Sequence, residues 1–185
     1  MENIILYGVP GSGKTSLAEI LSDILKLPHW EADEMRKIGQ WGRSPESDPF
    51  FFLPTTEAYQ AIGPRIPENV IRGLVGVRNA YKDLVAKEIA SYKDGYVVEA
   101  AFLDPASLKD NGAVMLITVP SEEKHRGQFL VHRTEDAFTN GQFENARIIH
   151  EFLMQEAKEL NIPVLENDGD LNSLAEKSQK VIGLF

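Results

Sequence analysis

The chain alternates short, continuous apolar runs with longer stretches in which apolar residues recur every three or four positions. The first pattern suits strands buried on both faces, the second helices with one buried stripe. Their alternation predicts an α/β domain around a largely parallel sheet. Residues 3–9 read as the first strand. Residues 15–27 read as a helix with Leu17, Ile20, Leu21, Ile24 and Leu25 on one face, stopped by Pro28. A short second strand follows at 29–32, and residues 37–67, rich in Gly, Pro and Ser, predict an irregular excursion. Asn69 is placed to cap a long helix reaching about Tyr92, with Val70, Leu74, Val77, Tyr81, Leu84, Val85 and Ile89 inward. The turn Lys93-Asp94-Gly95 feeds a third strand, Tyr96-Val97-Val98, ending at Glu99; residues 113–119 form a fourth, closed by Pro120. A polar helical region at 121–132 and a looser patch at 134–141 precede a strongly helical segment, 142–160, that buries Phe143, Ile148, Phe152, Leu153 and Ala157. A fifth strand at 162–165 and a closing helix at 171–184 complete the chain, with no internal repeat.

Composition narrows this picture. The 185 residues, 43% hydrophobic and 25% charged, fit one domain with an ample core. No apolar run approaches the roughly 18–20 residues of a membrane span. Met1 leads into the first strand without the basic start and cleavage site of a signal peptide. The absence of cysteine excludes disulfides and thiolate metal sites and suits a reducing cytoplasm. A net charge of -9 argues against a general nucleic-acid binder, which needs a basic face.

The chemistry begins at Gly8-Val9-Pro10-Gly11-Ser12-Gly13-Lys14-Thr15, which fits G-x-x-x-x-G-K-S/T between a strand and a helix. Glycines let successive backbone N–H groups face phosphate oxygens, and the helix start adds its positive dipole end. Gly8 and Pro10 to Ser16 are therefore the expected nucleotide cradle. Lys14 would reach the β- and γ-phosphates, and Thr15 would ligate Mg2+. No Asn-Lys-x-Asp follows a later strand, as a GTPase would need, and the third strand ends in Glu99 alone rather than the paired acids of a motor ATPase. A compact kinase remains, moving a phosphoryl group from a nucleotide to a small acceptor.

Asp33 and Arg36 follow the second strand, where ligands gather in a parallel sheet. Asp33 could orient or deprotonate an acceptor hydroxyl and hold Mg2+ through water, with Arg36 pairing an anionic acceptor. The competing reading is a capping aspartate and a solvated arginine. Glu99 could meet the acceptor or a metal-bound water, or be a buried acid satisfied by the backbone; Asp104 is a weaker candidate. Arg126 and Arg133, seven apart, project from one helical face and could form a lid over the transferred phosphoryl, or a solvated basic stripe. Arg147 could point to the same site, His125 and His132 share the seven-residue spacing, and Phe50 to Leu53 could line the pocket, the core or an interface.

In order and spacing the chain resembles the archaeal-type 2-phosphoglycerate kinases among the P-loop kinases. The matching residues are the phosphate loop, Asp33-x-x-Arg36, Glu57-Ala58-Tyr59, Val70-Ile71-Arg72-Gly73, Val97-Val98-Glu99, His125 with Phe129 and Arg133, Arg147-Ile148, and Pro163-Val164-Leu165-Glu166-Asn167. The resemblance implies a P-loop three-layer α/β/α sandwich with a five-stranded parallel sheet, related to nucleoside monophosphate kinases. It also implies ATP and Mg2+, and a small anionic hydroxyl acceptor such as a phosphorylated or sugar acid. The expectation is one domain over 1–185, with an acceptor-side insertion at 37–67 and a lid at 121–141. The alternatives are a nucleoside monophosphate kinase or an ATP-binding regulatory module, with a nucleic-acid-end kinase disfavoured by charge. A shikimate kinase is disfavoured because no triple glycine follows the third strand.

Overall fold

In a computed structural model, residues 3–131 and 140–183 are described. The strands are β1 (Asn3–Tyr7), β2 (His29–Glu31), β3 (Val97–Ala100), β4 (Gly112–Thr118) and β5 (Val164–Glu166). They form one parallel sheet in the order β2-β3-β1-β4-β5. The described helices are α1 (Lys14–Leu25), α2 (Met35–Gln40), α3 (Pro67–Ser91), α4 (Pro105–Leu108), α5 (Glu122–Leu130), α6 (Gln142–Leu160) and α7 (Leu171–Val181).

Successive strand residues point to opposite faces, so β1 feeds two cores. Ile4 and Leu6 join Val97, Met115 and Ile117 beneath α1 and α7, where Leu17, Leu21 and Leu174 meet them. Ile5 and Tyr7 face the other way, toward Val70, Leu74, Val77 and Tyr81 of α3 and Phe143, Ile149 and Leu153 of α6. Because β1 is covered on both faces, its sequence reads as an unbroken apolar run. The chain passes from β1 to one side through α1 and β2, while β3 leads to β4 on the other. The carboxyl end of β1 is thus the crevice where an open α/β sheet binds ligands.

Several local expectations are corrected. Ile24 is 48% exposed, because α1 buries the narrower stripe Leu17, Ala18 and Leu21. Asn69 does not cap α3: Ile66 occupies that position, Pro67 opens the first turn, and the Asn69 amide donates to Pro64 O at 2.9 Å. Proline has no N–H to satisfy, so it starts the helix three residues earlier than a cap at Asn69 would. The excursion contains α2 and two short 3-10 turns, anchored where the Tyr81 hydroxyl donates to Phe51 O at 2.8 Å. The short helix α4, capped by Asp104 Oδ1 accepting from Ala106 N–H at 3.3 Å, has too few residues to leave a periodic signal.

Candidate functional site

Between β1 and α1 the backbone turns through Gly11 (φ 79) and Gly13 (φ 89), a left-handed region that favours glycine. Space demands it too. A Cβ on Gly11 would come within 2.9 Å of Phe129 Cα, and one on Gly13 would collide with the Asn167 side-chain amide. Ser12 N–H donates to Val9 O at 3.2 Å, closing the turn, and Gly13 hands the chain to α1 with the first-turn N–H groups facing the loop. Lys14 is buried, its Nζ donating to Val9 O at 3.2 Å across the loop. The buried Ser12 Oγ has no hydrogen-bond partner among the described residues. A cavity of about 250 Å3 opens on this loop, lined by Gly13, Lys14, Thr15 and Ser16 on one side and by Gln128 and Asn167 on the other. A cradle of backbone donors with a lysine at its edge fits a polyphosphate.

Two residues with no firm role in the sequence hold this loop in shape. Asn167, just beyond β5, donates from Nδ2 to Ser12 O at 3.0 Å. It is itself fixed by its N–H to Thr118 O at 2.8 Å and by Gly169 N–H donating to its Oδ1 at 2.9 Å. From the opposite side the fully buried His125 Nε2–H donates to Pro10 O at 2.9 Å. That bond leaves Nδ1 bare, facing Arg147 Nη1 at 3.5 Å, and Arg147 also donates to Val119 O at 3.0 Å. Burial pushes the imidazole down to about 4, so His125 is neutral near pH 7, as a single-donor tautomer requires. Arg147 therefore supports His125 rather than the phosphate cavity. The available signal for Asn167 was its position: a polar residue directly after a strand on the ligand side of the sheet.

Toward β3, the Thr15 hydroxyl donates to Glu99 Oε1 at 2.8 Å. Glu99 is 4% exposed, with Leu6 on one side and Glu31 on the other in the sheet register. Burial raises the Glu31 carboxyl, and the adjacent Glu99 charge adds to the effect. Asp33 and Arg36 form an ion pair at 3.0 Å; Arg36 also donates to Leu53 O at 3.2 Å and lies 5.6 Å from the Phe102 ring centroid. Both line a second cavity of about 220 Å3, with Pro10, Phe52, Thr55 and Thr56 among its walls. Pro10 lines this cavity and Gly11 the first, so consecutive residues of the glycine-rich loop border the two. Within the aromatic run, Phe51 is buried in the core and Phe52 lines the second cavity.

Arg126 stands elsewhere. Its Nη2 lies 3.5 Å from Glu122 Oε1 and its guanidinium 4.4 Å from the Phe143 ring centroid, and it does not line the phosphate cavity. Arg133 and His132, with the rest of the 132–139 stretch of the expected lid, lie outside the described residues.

No family model matches the chain, and no curated protein sequence matches it significantly. Solved structures do. A shikimate kinase from Acinetobacter baumannii in complex with shikimate superposes at a TM-score of 0.59 and 18% identity, covering 100% of this chain and 92% of that one. A gluconokinase from Sinorhizobium meliloti gives 0.53 at 15% identity over 99% and 92%. A deoxyadenosine kinase from M. mycoides gives 0.56 at 11% identity over 99% and 100%. The chain has an α/β P-loop NTPase fold, of the form these small kinases share. At such identities the likeness is one of fold.

Proposed function

We propose that the protein is a phosphotransferase that moves the γ-phosphoryl group of Mg2+-bound ATP to a hydroxyl of a small, anionic acceptor. The observation that carries this reading is a pair of cavities bordering consecutive residues of the phosphate loop, one lined by Lys14 and Thr15, the other by Asp33 and Arg36. A donor phosphate on one side and an acceptor on the other would have their reacting atoms held together.

In this reading the loop from Gly8 and Pro10 through Ser16 grips the polyphosphate, and Lys14 balances its charge. Thr15 would hold the magnesium ion directly, with Glu99 and Asp33 reaching it through water. The ion supplies neutralisation of the phosphate charge. An anionic acceptor competes for Arg36, and that competition releases the Asp33 carboxylate to take the hydroxyl proton. The acceptor oxygen bonds to the γ-phosphorus as the bond from phosphorus to the β-phosphate oxygen breaks. Arg126 and Arg133 would close over the transferred group, which requires Arg126 to leave Glu122. The 2-phosphoglycerate kinase resemblance favours a phosphorylated or sugar acid as acceptor. The fold neighbours, named for shikimate, gluconate and deoxyadenosine, are kinases of small hydroxyl compounds. A single domain acting in the cytoplasm fits the cysteine-free composition.

The test is ADP release with phosphorylated acids, sugar acids and nucleoside monophosphates as acceptors. Turnover stimulated by an acid and lost in Asp33→Asn supports the reading. Stimulation only by nucleoside monophosphates moves the acceptor class. Tight ATP binding with no stimulated turnover by any acceptor turns the protein into a nucleotide-binding module and overturns the proposal.

A further inference from the structure

His29 and Glu31 lie two residues apart on β2, so they share a face of the sheet, and Glu99 of β3 sits directly opposite Glu31 in the parallel register. One ligand atom from each of the three lies within 4.8 Å of the others. Among the described residues, Glu31 and Glu99 make no ion pair with a lysine or arginine, so two carboxylates converge with no protein cation between them.

The histidine supplies an independent observation. His125 uses one ring nitrogen on Pro10 O and meets Arg147 with the other, and His150 is engaged by Thr118 and Glu151. His29 differs. Its Nε2 is shut off from solvent and has no hydrogen-bond partner among the described residues. An imidazole left without a partner beside two carboxylates is a mixed nitrogen and oxygen donor set. That set suits a first-row divalent transition ion better than magnesium, which prefers all-oxygen ligands and retains its waters.

We propose that His29, Glu31 and Glu99 bind one divalent transition-metal ion of the zinc, cobalt or manganese type, with water completing the coordination. A neutral imidazole and two carboxylates give a neutral site around a divalent ion. Glu99 accepts the Thr15 hydroxyl on Oε1, so its second oxygen serves the ion while the first keeps its bond to α1. The ion thereby braces the edge strand β2 against β3 and restrains the carboxylate beside the phosphate loop. This site shares Glu99 with the water shell assigned to the nucleotide's magnesium, but it requires neither nucleotide nor magnesium.

The experiment is a Co2+ titration of chelator-treated, nucleotide-free full-length protein, followed by visible absorption and then by displacement with Zn2+. One equivalent is expected to bind with a micromolar or tighter dissociation constant, with its absorption bands abolished by Zn2+. His29→Ala and the near-isosteric Glu31→Gln are each expected to weaken binding at least about tenfold, the scale at which changes around a metal shift its affinity. Circular dichroism confirms that both variants keep the fold, and Glu31→Gln preserves the edge-strand shape should His29→Ala lose it. Absence of saturable binding below millimolar Co2+, or binding undiminished in a folded His29→Ala or Glu31→Gln protein, overturns the site. No nucleotide is present and no turnover is read, so this result is independent of the phosphotransferase reading.

Discussion

The Thr15 hydroxyl donates to Glu99 Oε1 at 2.8 Å, which joins the first turn of α1 to the carboxyl end of β3. The bond fixes the hydroxyl on the ligand side of the sheet and gives a buried carboxylate one of its few donors. Thr15→Val keeps the side-chain shape and removes both functions. Turnover is expected to fall about 100-fold, the scale of losing one preorganised polar group, with a higher Mg2+ requirement. ADP release measured across a Mg2+ titration checks this; an unchanged Mg2+ dependence contradicts the assigned role.

Gly13→Ala places a Cβ against the Asn167 amide at a backbone φ of 89. The left-handed conformation costs an ordinary residue about 1–2 kcal/mol, and the collision breaks the bond from Asn167 to Ser12 O. Mg·ATP affinity measured by calorimetry is expected to drop at least tenfold. Asn167→Ala alone should weaken binding by less, because it loosens the loop without straining it.

The buried His125 gives stability a defined pH dependence. Its folded value of about 4 lies below the ordinary 6.5, so between these limits the unfolded chain takes up the proton and the folded one does not. The contribution is complete above pH 6.5 and is lost as pH falls toward 4, amounting to about 2 kcal/mol between pH 7 and 5. His150, lowered chiefly by burial, acts with the same sign. Urea denaturation at the two pH values should show a smaller loss in His125→Gln, which keeps a donor for Pro10 O but does not titrate.

Arg78 of α3 and Glu156 of α6 form a bidentate pair at 2.7 and 2.9 Å, with side chains only 5% and 15% exposed. Removing one partner strands the other away from water. Arg78→Met or Glu156→Gln is expected to cost about 3–5 kcal/mol by denaturant unfolding, whereas the double change to apolar residues should recover most of that loss. A double cycle that is purely additive would show the pair to be uncoupled.

The strands and long helices were legible because burial writes a period into the sequence. Val70, Leu74, Val77, Tyr81, Val85 and Ile89 are all buried along α3, and α6 spans the expected 142–160. The phosphate loop was legible for a different reason: its conformation admits only certain residues, so glycine spacing records geometry directly. Long-range contacts leave no such record. That Asn167 would support Ser12, or that His125 would face Pro10 rather than a ligand, depends on where β5 and α5 dock. The same limit applies to Arg126. A seven-residue spacing gives a shared helical face, but the local pull of Glu122 and the Phe143 ring places its guanidinium.

The tie between Ser12 and Asn167 spans 155 positions. During ribosomal synthesis the glycine-rich turn emerges well before the amide that secures it. A nascent chain therefore carries the motif before this cross-tie can form, and the loop takes its final support only once β5 has docked.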